Sequence, residues 1–219
     1  MAAPKGRAMG NRWGTGRMEA FSDGVFAIAI TLLVLDIHVP AADFADLWSG
    51  IADQWPSYLA YATSFITIGG IWLAHHAIMR RVQFASPRLM QINLLLLMAV
   101  SFLPFPTRLV AEAIRDPDAE RAAVIFYGAC LLVIQILLAS MWIAVSRDRS
   151  LLQPEVTEKE VNAIMRAATP SFGFYAAVIV LAFVAPKVAA FGYLVIAVVA
   201  VLRAQGDQVQ RPAAASPGS

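Results

Sequence analysis

Among the long apolar runs of this sequence stand a few polar side chains whose types and positions could do chemistry. Ser22 and Asp23 are adjacent near the start of the first run, and His75 and His76 are adjacent in the second. Asn93 lies near the start of the third run. At a similar depth in a membrane, such groups could form a proton relay or a metal site, or could join three helices through hydrogen bonds.

Asp23 is the most demanding of these residues, because an unpaired carboxylate inside an apolar run costs several kcal/mol. Its candidate partners at similar predicted depth are Arg17, Ser22, Trp72, His75, His76 and Asn93. Adjacent histidines on a helix point about 100° apart and do not easily share one ion. We therefore expect no metal and interpret the set as a hydrogen-bonded cluster, with a proton relay as the functional alternative.

Catalysis has little support in the sequence. No HExxH, GxSxG or P-loop pattern is present. Ser22, His75 and Asp23 could be drawn as a triad, but their positions in the sequence do not fix its geometry. We expect the chain not to be an enzyme and to have no catalytic residue.

The composition predicts that membrane-spanning helices carry these residues. Of the 219 residues, 59% are apolar and 15% are charged, whereas about a quarter are charged in a soluble domain. The apolar residues form runs of about 20, the length that a helix needs to cross a bilayer. The net charge of +2 indicates no nucleic-acid partner, and Cys130 is the only cysteine, which excludes an intrachain disulfide.

The runs predict an all-α integral membrane protein. Its six predicted transmembrane helices are residues 17–38, 56–79, 87–110, 120–145, 161–185 and 186–202, within a domain of residues 17–203. Residues 1–16 are predicted to be a flexible basic cytoplasmic tail and residues 204–219 a disordered cytoplasmic tail. The distribution of Lys and Arg places both termini in the cytoplasm and so requires an even number of spans. Four spans are the alternative, if the last two helices form a re-entrant hairpin broken at Pro186.

The first helix has one stripe of residues that could line a pore. At 100° per residue, this helix-1 stripe consists of Arg17, Phe21, Gly24, Ile28, Thr31, Leu32 and Leu35. Ser22 and Asp23 point away from it. Around a symmetric axis, the apolar side chains would form narrow rings that gate by dewetting, with the threonine hydroxyl between them. From periodicity alone, ordinary helix packing is the favoured interpretation of the stripe.

The sequence resembles the transmembrane protein 175 family. The resemblance rests on the string Arg17, Phe21, Ser22, Asp23, Gly24 and on the following VFAIAITLLVLDI. IWLAHH at residues 71–76 and QIN at residues 91–93 support it. The resemblance implies a homotetramer of six-helix subunits that forms a potassium-permeable leak channel without the TVGYG filter of ordinary potassium channels, which this sequence lacks.

The resemblance also implies roles for individual residues. It makes Ile28, Leu32 and Leu35 the pore constriction, with Thr31 as the residue linked to selectivity. It makes Arg17, Phe21, Ser22 and Asp23 a packing motif that joins helix 1 to Trp72, His75 or His76, and Asn93. The modest preference for potassium over sodium would come from the lower cost of dehydrating potassium in an apolar ring.

The remaining expectations concern partners and rival functions. We expect no cofactor beyond the permeant potassium ion, and as partners the lipid bilayer and further copies of the chain in the plasma membrane. Asp36 is placed at the outer mouth, where it and the acidic loop of Asp43, Asp46 and Asp53 would concentrate cations. The alternatives are a secondary transporter, with helices broken at Pro104, Pro106 or Pro170, a proton-conducting membrane protein, and a membrane protein with no transport role.

Overall fold

The chain is helical over most of its length, in a computed structural model that describes residues 13–114 and 116–209. The helices are α1 (Gly16–Leu32), α2 (Leu47–Asp53), α3 (Trp55–Met79), α4 (Pro87–Phe102), α5 (Pro104–Ala113), α6 (Pro117–Arg147), α7 (Glu158–Ala182) and α8 (Pro186–Val209). Short 3-10 turns cover Leu33–Asp36, Ala41–Asp46 and Arg149–Leu151. Two short strands, β1 (Trp13–Gly14) and β2 (Phe84–Ala85), pair antiparallel.

Several of these helices are long and apolar enough to cross a bilayer. Within the described residues there are four, at Gly16–Asp36, Trp55–Met79, Pro87–Ala113 and Ala119–Arg147. Two shorter apolar stretches follow at Gly173–Ala182 and Pro186–Leu202. The prediction of an all-helical, multi-pass membrane protein is therefore confirmed. The count of six spans in each subunit stays a prediction.

The predicted third helix, residues 87–110, is divided in two. It begins as expected, with Pro87 in its first turn and the Ser86 hydroxyl accepting a hydrogen bond from the Leu89 amide at 3.2 Å. It is interrupted at Leu103 because Pro104 has no N–H to donate to the preceding turn. Leu103 keeps helical dihedral angles, φ −56° and ψ −33°. The interruption is therefore local, and α4 and α5 together form one candidate span, Pro87–Ala113.

The boundaries of the first and last helices also differ from the prediction. The first helix was predicted to reach residue 38, but α1 ends at Leu32 and tightens into the 3-10 turn Leu33–Asp36. At the other terminus α8 continues to Val209, so residues 204–209 of the predicted disordered tail are helical. Of the predicted flexible N-terminal tail, Trp13–Gly14 forms β1. Residues 1–12 and 210–219 lie outside the described residues.

The helices pack into one bundle around α3 and α6. Helix α3 contacts α1, α5 and α8, and α6 contacts α4, α5 and α7. A polar cluster in this bundle joins α3, α5 and α6: the Ser64 hydroxyl lies 2.7 Å from that of Thr107 and 3.2 Å from that of Tyr127. Because the Thr107 hydroxyl donates to the Leu103 carbonyl, Ser64 donates to Thr107 and Tyr127 donates to Ser64. Each of these buried hydroxyls thus has a partner.

Backbone pairing closes one end of the bundle, which we call the β-ribbon end. There β1 pairs with β2 in the connection between α3 and α4. The same connection meets the one between α6 and α7, where the Gln83 amide donates to the Leu151 carbonyl at 2.7 Å. The side chains of Arg81 and Glu160 form an ion pair at 2.9 Å. These contacts hold the start of α1, the α3–α4 connection and the α6–α7 connection together.

A glycine allows α6 and α8 to approach closely, and its replacement tests this packing. A Cβ atom at Gly128 would collide with the Tyr193 ring and lie 2.8 Å from Ile179 Cγ1. We predict that Gly128→Ala lowers the free energy of unfolding by about 1–3 kcal/mol, because the ring must move. Thermal unfolding of the purified protein measures this change.

The matched control is Gly69→Ala in α3, where a Cβ atom would meet nothing within 4 Å in the described chain. It should leave the unfolding midpoint unchanged or raise it slightly, since alanine favours helix. Equal midpoints for the two variants would contradict the close packing of α6 and α8.

Candidate pore helix and the cluster that anchors it

Three buried side chains from three helices form the centre of the predicted polar cluster. Asn93 of α4 donates from Nδ2 to the Ser22 hydroxyl of α1 at 3.0 Å. Its Oδ1 atom lies 2.8 Å from Nε2 of His75 in α3, so that nitrogen carries the proton and donates. The Ser22 hydroxyl donates to the Met18 carbonyl at 2.8 Å. One amide therefore connects α1 to α3 and α4.

Asp23 has a separate partner, the indole of Trp72. Trp72 Nε1 donates to Asp23 Oδ1 at 2.8 Å. The Trp72 ring also stacks on His76, with centroids 5.6 Å apart and planes 24° from parallel. His76 Nδ1 in turn lies 3.1 Å from Glu19 Oε1, without the alignment of a hydrogen bond. A second set of contacts between α1 and α3 thus runs beside the Asn93 bridge.

Glu19 also belongs to this cluster, although it is not among the predicted partners of Asp23. Glu19 precedes Asp23 by four residues, a spacing that puts both carboxylates on one face of a helix. The four-residue spacing is therefore the sequence signal that identifies Glu19 as a neighbour of Asp23. The two histidines separate as expected, since His75 meets Asn93 and His76 lies against Glu19.

Below the cluster, apolar packing continues along the same face of α1. Phe26 lies against His75, with ring centroids 5.5 Å apart. Ala29 and Leu33 follow at helical spacing, and all three apolar side chains are buried. Rotation of α1 would separate the hydrogen-bonded groups of the cluster. A buried polar group that loses its partner costs its full desolvation free energy, so the cluster resists this rotation.

The opposite face of α1 is the helix-1 stripe, and every one of its residues is exposed in the single chain. Ile28 is 60% exposed and Leu35 is 71% exposed. Arg17 and Phe21, which were expected to belong to the packing motif as well, lie on this exposed face and outside the cluster. The angular argument that turned Ser22 and Asp23 away from the stripe agrees with the structure.

Thr31 is the polar residue in the middle of the stripe. Its hydroxyl donates to the Ile28 carbonyl at 2.9 Å. The proton is therefore used within the helix, while the oxygen lone pairs remain free to accept from, or coordinate, a group in front of the stripe. Such an oxygen suits a cation better than an anion.

At the end opposite the β-ribbon, Asp36 borders a polar cavity of about 190 Å³. His38, Asp53, Arg108 and Glu112 also line it. Arg108 forms an ion pair with Glu112 at 2.7 Å, so the cavity holds charges of both signs. Of the other predicted acids, Asp46 accepts a hydrogen bond from the Ser49 amide and so caps α2.

Comparison with known proteins gives consistent matches. The family model described as endosomal/lysosomal potassium channel TMEM175 matches residues 17–104. A Streptomyces collinus protein named as a potassium channel is 42% identical over 162 residues, 73% of this chain and 79% of that protein. A crystal structure described as a lysosomal potassium-selective channel TMEM175 homolog from Chamaesiphon minutus is 40% identical, with a TM-score of 0.78 over 87% of this chain and 97% of that one. The human protein named as endosomal/lysosomal proton channel TMEM175 is 35% identical over 64% of this chain and 30% of that protein.

A double-mutant cycle tests whether the amide bridge couples α1 to α4. For Ser22→Ala, Asn93→Ala and the double variant, we predict a coupling free energy of about 0.5–3 kcal/mol, because the two residues share a buried hydrogen bond. Thermal or denaturant unfolding of the purified protein measures it. The control cycle pairs Ser22→Ala with Ser140→Ala, since Ser140 bonds the Ile136 carbonyl within α6. Additive effects in the first cycle would contradict the bridge.

Proposed function

The chain belongs to the TMEM175 family, and we propose that it is a potassium-permeable channel in which α1 lines the pore. One observation carries the proposal of a helix-1 pore. The polar cluster and the apolar face below it fix α1 against α3 and α4, while the whole helix-1 stripe remains uncovered. Ile28, Leu32 and Leu35 would form the constriction, with Thr31 between them.

A pore of this kind needs several copies of α1, and we infer a homotetramer of six-span subunits. Because Leu103 keeps helical dihedral angles, α4 and α5 count as one span. At 1.5 Å per residue, α7 and α8 are each about 36 Å long or slightly more, enough to cross a 30 Å hydrocarbon core. Counting them gives six spans: α1, α3, α4 with α5, α6, α7 and α8. Both termini are then at the β-ribbon end.

The basic residues support an orientation with the β-ribbon end in the cytoplasm of a plasma-membrane protein. Arg80, Arg81, Arg88 and Arg147 all lie in or beside the connections at that end. Cytoplasmic connections carry an excess of Lys and Arg. Asp36, at the opposite end, would then lie near the outer mouth of the pore.

The proposed selectivity follows from the side chains on the stripe. A ring of isoleucine side chains offers no ligand to replace water of hydration, so the ion that loses water at lower cost passes more readily. Potassium is that ion when compared with sodium. The Thr31 oxygens, whose protons are already used, would restore part of the lost hydration next to the constriction. A modest preference for potassium is the expected result.

A secondary transporter is not favoured. Such proteins place unwound helices at matching positions in two repeats near the middle of the membrane. Leu103 keeps helical dihedral angles, so its carbonyl and amide groups are not released to a substrate. In α1, the 3-10 turn lies at the end of the helix and keeps its backbone hydrogen-bonded.

The reversal potential across a planar bilayer tests the pore assignment. With potassium on one side and sodium on the other, we expect the wild type to give a potassium-directed potential. We predict that Ile28→Asn moves it toward zero by tens of millivolts, since each tenfold loss in permeability ratio corresponds to about 59 mV. The new amide would coordinate a partly dehydrated sodium ion. It would thereby reduce the difference in dehydration cost between sodium and potassium.

Ile136→Asn is the matched control, because Ile136 is an exposed isoleucine on α6, outside the proposed pore. It should leave the reversal potential unchanged. A wild type without passive current would refute the channel proposal, whereas a shift in the Ile136 variant alone would place the pore at another helix.

A further inference from the structure

The connection between α1 and α3, residues 37–54, is a folded elbow. Asp46 caps α2 at its first turn. A Cβ atom at Gly50 would lie 2.9 Å from both Asp43 Cβ and Val39 Cγ1, so only glycine allows α2 to pack this closely on the preceding turn. The Tyr58 hydroxyl then donates to the Ile51 carbonyl at 3.0 Å and ties the elbow to α3. We call this segment the α1–α3 elbow.

The elbow presents a row of large apolar side chains away from the rest of the chain. This row, which we call the aromatic face, consists of Phe44, Leu47, Trp48, Ile51 and the neighbouring Trp55 of α3. Trp48 is 83% exposed and Phe44 is 64% exposed. Within α2, Leu47, Trp48 and Ile51 fall within about 100° of one another. These three exposed side chains therefore share one face of α2.

Helix α2 exposes the apolar face that a helix in water would bury. Asp53 is turned by about 160° from Ile51 and borders the polar cavity next to Asp36. The apolar side chains of α2 and the Asp53 carboxylate therefore lie on opposite faces of the helix, and both faces are exposed. A connection surrounded by water would bury its apolar face. The medium in front of the aromatic face is therefore apolar or partly apolar.

The position of the elbow fixes the depth of this surface. The elbow joins the last turn of one membrane span, at Asp36, to the first turn of the next, at Trp55. Tryptophan is enriched at this level, where its ring lies among acyl chains and its N–H reaches the headgroups. No Lys or Arg occurs in residues 18–79, while Asp43, Asp46 and Asp53 are acidic. The surface therefore matches lipids without net negative charge.

We propose that the α1–α3 elbow is an interfacial anchor, whose aromatic face binds the headgroup region of a bilayer of zwitterionic lipids. A second copy of this chain is the competing occupant. A stable interface uses roughly 20–30 residues from each partner, whereas this face offers five side chains. The aromatic face also adjoins the start of α3, where Trp55 and Tyr58 are exposed. Binding of the aromatic face to the bilayer would hold the Leu35 end of α1 at a fixed depth in the membrane. This anchoring does not depend on which ion the chain conducts.

Site-directed spin labelling measures the environment of the aromatic face. Cys130 is the only cysteine, so Cys130→Ala gives a background into which Trp48→Cys can be introduced. Ser49→Cys is the matched control, because Ser49 is the next residue, is also exposed and is turned by about 100°. The full chain is reconstituted in phosphatidylcholine vesicles, and collisions of each label with oxygen and with a water-soluble nickel chelate are recorded.

We expect the Trp48 label to collide several-fold more with oxygen, relative to the nickel chelate, than the Ser49 label does. Its depth should be about 5–10 Å into the boundary between headgroups and acyl chains. Equal access of the nickel chelate to both labels would put the face in water and overturn the proposal. Protection of the Trp48 label from both reagents would also overturn it and assign the face to another protein copy.

Variants of Trp48 itself provide a second measurement that does not depend on a label. Brominated phosphatidylcholine quenches tryptophan that lies in the membrane interface. If the proposal is right, Trp48→Ser removes a quenchable part of the emission, while the remaining tryptophans respond as in the wild type. A variant with unchanged fractional quenching would show that Trp48 is not in contact with lipid.

Discussion

The hydrogen bonds of Asn93 to Ser22 and His75 are the interaction on which the rest of this structure depends. A buried amide has no water to replace a lost partner, so its donor and acceptor define one arrangement of three helices. With α1 fixed in that rotation, Phe26, Ala29 and Leu33 are buried against the bundle. The same rotation leaves Ile28, Thr31 and Leu35 uncovered. The exposure of this face of α1 is thus a consequence of polar contacts on the other side of the helix.

Both ends of α1 are also held. At the β-ribbon end, β1 pairs with the connection between α3 and α4, so the start of α1 cannot move without that connection. At the other end the 3-10 turn leads into the α1–α3 elbow, which packs on itself at Gly50. A helix fixed at its middle and at both ends suits the proposed channel, in which selectivity comes from the size and polarity of one side-chain ring.

Much of this arrangement could be predicted from the sequence, and the exceptions have physical causes. The helical repeat alone predicts that Ser22 points away from the stripe. The positions of the charged connections predict that Trp72, His75 and Asn93 lie at a similar depth in the membrane. Which donor meets which acceptor depends on helix rotation, which periodicity does not give. The contact between Ser64 and Thr107 was missed because single hydroxyls in apolar runs have no pattern. For the folded elbow the sequence predicts only an acidic loop, because the apolar residues there form no run of membrane-spanning length.

The most direct test of the central claim, that the uncovered face of α1 lines the ion path, is chemical block of that face. In a Cys130→Ala background, Ile28→Cys and Ile136→Cys are reconstituted in vesicles, and potassium flux is recorded before and after a positively charged methanethiosulfonate reagent, with labelling checked by mass spectrometry. We predict that flux falls to a small fraction in the Ile28 variant and is unchanged in the Ile136 variant. Complete labelling of Ile28→Cys with undiminished flux would contradict a pore lined by α1.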